Sequence, residues 1–178
     1  MVAPLSLSNL LTVVIAVTCL TTIAQQSRGD VVKIWRLAVP ACLAIVQALV
    51  LLAGVIDATF VHDAEWVIAA IVGAVGGRMR GWSVFLQVDQ SRDLFRMKRN
   101  FDGQVAAIGL CVLAFIDFTS AALEERIIGE EHIAAGAALC AGYLVYRAIA
   151  VAVRAVRLQH VELLDTLQGA DGARYNNS

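Results

Sequence analysis

The stretch Gly73–Asn100, GAVGGRMRGWSVFLQVDQSRDLFRMKRN, decides how this chain is read. It begins inside an apolar segment and leaves it through glycines and arginines. It then crosses a short polar insert and stops at a basic cluster, just before the next apolar segment. Arg78 and Arg80 stand on one side of the insert; Arg92, Arg96, Lys98 and Arg99 stand within it and beyond it. Lys and Arg gather in the cytoplasmic loops of multi-pass membrane proteins, so this stretch marks the inner side of a membrane.

Composition points to the same class. Of 178 residues 59% are hydrophobic and 16% are charged, with a mean hydropathy of +0.72. An ordinary soluble domain carries about a quarter charged residues. The net charge of −1 gives no case for a nucleic-acid partner. Cys19, Cys42, Cys111 and Cys140 fall in four different apolar runs, with no C-x-x-C. They read as small core residues and not as redox or metal groups. The chain holds no P-loop, G-x-S-x-G, H-E-x-x-H or spaced pair of acids, so no enzyme and no cofactor is expected. No basic segment precedes the first apolar run, which therefore reads as a retained helix.

Outward from the insert lie five apolar runs, at about 3–24, 37–60, 64–80, 101–123 and 133–156. A helix needs about 20 apolar residues to cross a bilayer. The third run is short for this unless Arg78 and Arg80 snorkel from its end. The expected fold is an all-α integral membrane protein, a bundle of five transmembrane helices forming one domain over 1–168. Gln25–Arg36 reads as a polar connection with Trp35 as interfacial anchor. The fifth helical pattern continues to about Leu167, and 169–178 reads as a disordered tail. The insert, about 82–99, has strand-formers in its first arm and turn residues over Asp89–Asp93. That reads as a cytoplasmic β-hairpin at the membrane surface; an amphipathic interfacial helix is the competitor.

Orientation follows from charge. The first and third connections and the C-terminal end hold nearly all Lys and Arg, while the second and fourth hold Arg126 alone among acids and histidines. The cell (inner) membrane is the expected location, with the N-terminus outside and the C-terminus cytoplasmic. Gly73-x-x-x-Gly77, with Gly81 one turn on, lets helix backbones approach closely. The fifth run is crowded with Ala and Gly. These two faces are the expected surfaces of a homo- or hetero-oligomer.

The pattern G-x-x-x-G-x-x-R-G over Gly73–Gly81, followed by Val88-Asp89 and a basic exit into another span, resembles small bacterial multi-pass membrane proteins of the CcdC-like type. The resemblance covers about Ile71 to Ile116. It implies a membrane protein linked by name to cytochrome c maturation. This chain has no thiol pair of the C-x-x-C kind, and no functional residue is carried over.

Three intramembrane polar groups are candidates: Asp117, Arg147 and Asp57. A carboxylate inside a span needs a partner, a proton or water, and Asn9, Thr12 and Thr119 are the partners on offer to Asp117. Arg147 reads as a snorkelling residue near the cytoplasmic edge. At the outer side His62 and His132 with nearby acids read either as a solvated rim or as a weak cation or metal site. At the inner side Arg78, Arg80, Arg92, Arg96, Lys98 and Arg99 read as contacts to anionic lipid head groups. Two functions follow: a non-catalytic assembly, accessory or interaction subunit, or a small oligomeric cation- or proton-handling transporter or channel using Asp117.

Overall fold

A computed structural model describes residues 7–26, 31–53, 60–89, 93–97, 101–123 and 128–158, with the backbone alone over 60–63. Asp57, Arg92, Lys98, Arg99 and the tail lie outside these. The described elements are α1 (Leu7–Gln26), β1 (Val31–Lys33), a 3-10 turn (Ile34–Leu37), α2 (Ala38–Ala53), α3 (Phe60–Ser83), β2 (Leu86–Asp89), β3 (Leu94–Met97), α4 (Asp102–Leu123) and α5 (Glu130–Arg157).

Four helical stretches are long and apolar enough to cross a membrane: Leu7–Gln26, Ile34–Ala53, Asp102–Leu123 and Glu130–Arg157. The fifth, α3, has 24 residues but carries Glu65, Arg78 and Arg80 along its length, and it is not among the four. It is longer than the 64–80 run at both ends: it starts at Phe60, and its last turn takes in Trp82 and Ser83, which the hairpin reading gave to a strand.

The helices alternate in direction, as their contacts record. Asn9 near the start of α1 meets Asp117 near the end of α4, and Ile23 near the end of α1 lies beside Gly103 at the start of α4. Gln26 at the end of α1 donates to the carbonyl of Arg36, just before α2. α3 and α5 run parallel, pairing Glu65 with His132 at one end and Gly81 with Arg147 and Ala150 at the other. One end of the bundle thus gathers the ends of α1, α3 and α5 and the starts of α2 and α4.

The α3–α5 seam is where the glycines act. A Cβ on Gly73 would fall on the carbonyl of Leu139, one on Gly77 on the carbonyl of Tyr143, and one on Gly142 on the carbonyl of Ala70. Backbone touches backbone on both sides. The two small-residue faces read as oligomer surfaces therefore cover each other within one chain. Small side chains bring the nearest available helix closest, and that helix is the chain's own.

At the gathered end sits a three-stranded antiparallel sheet of order β1-β3-β2. Val32 and Val88 both register with Phe95, and Leu86 with Met97. Alternation places these five on one face. That face packs on Val151 and Ala155 of α5, while Arg96 points away, exposed. Asp93 enters β3 at φ 53, a left-handed conformation that Asp tolerates. The polar connection Gln25–Arg36 is corrected here, since it supplies β1. A three-residue strand is too short to show alternation, and its partner lies far along the chain. α5 ends at Arg157, and Leu158 is extended at ψ 151; the stretch 159–167, into which the helical pattern is read, lies outside the described residues.

Candidate functional site

Charge is sorted along the bundle. Among the described residues the sheet end carries Lys33, Arg36, Arg78, Arg80, Arg96, Arg154 and Arg157 with Asp89, Asp93 and Asp102, and the far end carries Glu65, Glu130, Glu131 and His132. The sheet end is where the structure builds most with its cations. Arg154 of α5 reaches across to α3 and donates through Nη1 to the carbonyls of Gly81 at 2.9 Å and Val84 at 2.6 Å. Terminal helix carbonyls lack intrahelical donors, and a guanidinium satisfies two of them at once. Arg80 pairs with Asp102 at 3.3 Å, linking α3 to the first turn of α4. Arg80 is well exposed, so this pair contributes about 0.5 kcal/mol. Arg78 and Arg96 are exposed as well.

Arg147 differs from these. It is only 6% exposed, and its Nε has no hydrogen-bond partner among the described residues. A Cβ on Gly103 would lie 3.2 Å from its Nη1. The guanidinium therefore lies inside the bundle, against the start of α4 and beside Ile23 of α1. This corrects the snorkelling reading. Arg147 stays on the buried side of α5 with Leu144 and Val151, and its length carries it between the helices toward the start of α4.

Two further polar groups lie between helices. Asn9 Nδ2 donates to Asp117 Oδ2 at 3.0 Å, so of the three partners on offer Asn9 is the one used. Thr12 turns its hydroxyl back to the carbonyl of Asn9, and Thr119 to that of Phe115. Gln47, fully buried in α2, donates to the carbonyl of Leu110 at 3.1 Å, and its Oε1 finds no donor among the described residues. Asp117 lies six residues before the end of α4, about 9 Å along the axis. Replacing Asp117 by Asn keeps a side chain able to accept from Asn9. Asp117→Asn is expected to leave the thermal unfolding midpoint within about 2 °C, whereas Asn9→Leu orphans the carboxyl and costs about 2 kcal/mol. Equal stability of Asn9→Leu and the parent in a melting experiment would remove the packing role.

At the far end His132 Nδ1 stands 3.7 Å from Glu65 Oε2. The described residues hold no group of three His, Cys, Asp or Glu placed for a metal ion, and the side chain of His62 lies outside the description. An apolar groove of about 220 Å³ runs between α2, α3 and α5, lined by residues that include Leu49, Trp66, Ala138 and Tyr146.

Sequence places Arg154 among the basic residues of the inner side but not as a cap on another helix, and it does not single out Asp102, whose signal is position alone: an acid at the first position of α4. Comparison with protein families, with curated proteins and with solved structures finds no match.

Proposed function

We propose that the chain is a multi-pass protein of the cell (inner) membrane, with α3 as its fifth span. Its N-terminus faces out, and its sheet and basic end face the cytoplasm. It serves as a non-catalytic assembly, accessory or interaction subunit. One observation carries this reading: among the described residues the alternating helices bring the Lys- and Arg-bearing ends and the sheet to one end, where Asp89, Asp93 and Asp102 accompany them, and leave the far end with acids and a histidine but no Lys or Arg. Lys and Arg on the cytoplasmic side follow the rule for membrane topology. The basic rim then meets anionic head groups, at about 1 kcal/mol per cation near the surface. The sheet, held on α5, is the rigid element such a subunit presents.

The competing reading, a cation- or proton-handling channel or transporter, draws on Asp117. The Asn9–Asp117 hydrogen bond favours a packing role for that carboxyl. Loss of ion flux in liposomes containing Asp117→Asn, with folding intact, would restore the transporter.

Reporter fusions test the placement. Fusions after Asn100 and after Ser178 are expected to score cytoplasmic, and one between Glu125 and Glu130 external. A C-terminal fusion that scores external removes the five-span arrangement and the function built on it.

A further inference from the structure

Arg147 is buried, and its Nε donates to nothing among the described residues. A guanidinium holds its charge at any physiological pH, so it cannot shed the charge on burial as a lysine can. Leaving a buried cation uncompensated is strongly unfavourable. The carboxylate whose charge acts on Arg147 is that of Asp102. Arg80 already holds that carboxylate at 3.3 Å. That carboxylate is therefore already engaged by one guanidinium.

The surroundings bear on the same guanidinium. Nη1 of Arg147 is aimed at the first turn of α4, within 3.2 Å of where a Cβ on Gly103 would stand. The start of a 22-residue helix is the positive end of its dipole. A cation placed there is repelled, whereas an anion beside both is attracted by both. The glycine at 103 leaves the guanidinium room to reach that point. Helix N-termini and arginine forks share one preferred ligand, the phosphate group.

We infer that Arg147, with Gly103 and the N-terminal turn of α4, forms a binding site for a phosphate oxyanion, carried by a phospholipid head group. Its level in the bundle fits that source, for it lies at the sheet end, beside the basic rim. The lipid source rests on the membrane placement proposed above; the phosphate site does not.

The test uses the full chain in two settings. In detergent, inorganic phosphate is titrated and thermal unfolding is followed. In nanodiscs of phosphatidylcholine with or without phosphatidylglycerol, retained lipid is counted by native mass spectrometry. The parent is expected to show saturable protection by phosphate and to retain one phosphatidylglycerol. Arg147→Gln should weaken both at least tenfold, and Arg78→Gln, at an exposed arginine, less than twofold. Gly103→Ala keeps every charge but crowds Nη1, and it should reproduce the loss; it carries the test if Arg147→Gln does not fold. Protection by phosphate without lipid retention assigns the site to free phosphate and overturns the lipid source. No saturable protection and no retained lipid, or equal binding by Arg147→Gln, Gly103→Ala and the parent, overturns the site itself. A topology result against the five-span arrangement leaves the detergent titration standing.

Discussion

Gly77→Val is expected to lower the stability of the folded chain by about 3 kcal/mol, the upper part of the usual range for overpacking. For a chain of this size that is a drop of about 10 °C in the unfolding midpoint. A Cβ at 77 meets the carbonyl, carbonyl carbon and Cα of Tyr143, all backbone. No rotamer change relieves that overlap. Either α3 moves away from α5, or α5 bends. Gly76 is the internal control. Its Cβ would meet only ring atoms of Tyr143, at 3.6 and 3.9 Å, which is ordinary contact. Gly76→Ala should therefore be neutral or slightly stabilising, since Ala is the better helix former. Thermal melts of both variants in one detergent check the pair. Similar midpoints for the two would mean that the seam is not backbone-tight at Gly77.

Arg154→Met should have the second largest effect, about 2 kcal/mol. Two carbonyls at the end of α3 lose a charged donor, and a hydrogen bond to a charged group is worth about 1.5–3 kcal/mol. Met keeps much of the stem and its packing, so the loss reports the hydrogen bonds. The effect should be local. Amide exchange should rise over residues 81–84 and in β2, and stay unchanged around Asn9 and Asp117 at the far end. Arg154→Lys should recover part of the loss, because an ammonium is a single point donor where the guanidinium is a fork. Unchanged exchange over 81–84 in Arg154→Met would show that the cap is unimportant.

The helices were legible because apolar runs of membrane-spanning length are a strong, local signal. Four of them reach the length and apolarity required, and α4 begins and ends within a residue of its run. The glycine motif was legible as a close-packing face, but its partner was not. Spacing tells a helix that it can be approached, and nothing in Gly73–Gly81 says by which helix. The insert carried strand-formers, yet β1 was invisible: Val31, Val32 and Lys33 are strand residues only because β3 stands beside them. Asp117 advertised its need for a partner, and Asn9 was among the three that sequence could offer. Arg147 was misplaced for a physical reason. Depth along a helix can be counted in residues, but whether a long side chain turns outward or inward depends on neighbouring helices. Here α1 and the glycine at the start of α4 leave the opening on the inside.

The parallel pairing of α3 with α5 also has a history in time. A chain grows from its N-terminus, so α3 is finished while the helix it leans on does not yet exist. It is also the helix that is not among the four apolar enough to cross a membrane, and so the one least able to stand alone. Through the whole synthesis of the sheet strands and of α4, its glycine face is open. Only when Leu139, Gly142 and Tyr143 emerge does it acquire a surface. The last of the described helices to be made is thus the one that completes the third. A ribosome that stops early leaves behind four helices and an unfilled seam, a form that quality control can tell from the finished protein by what it exposes.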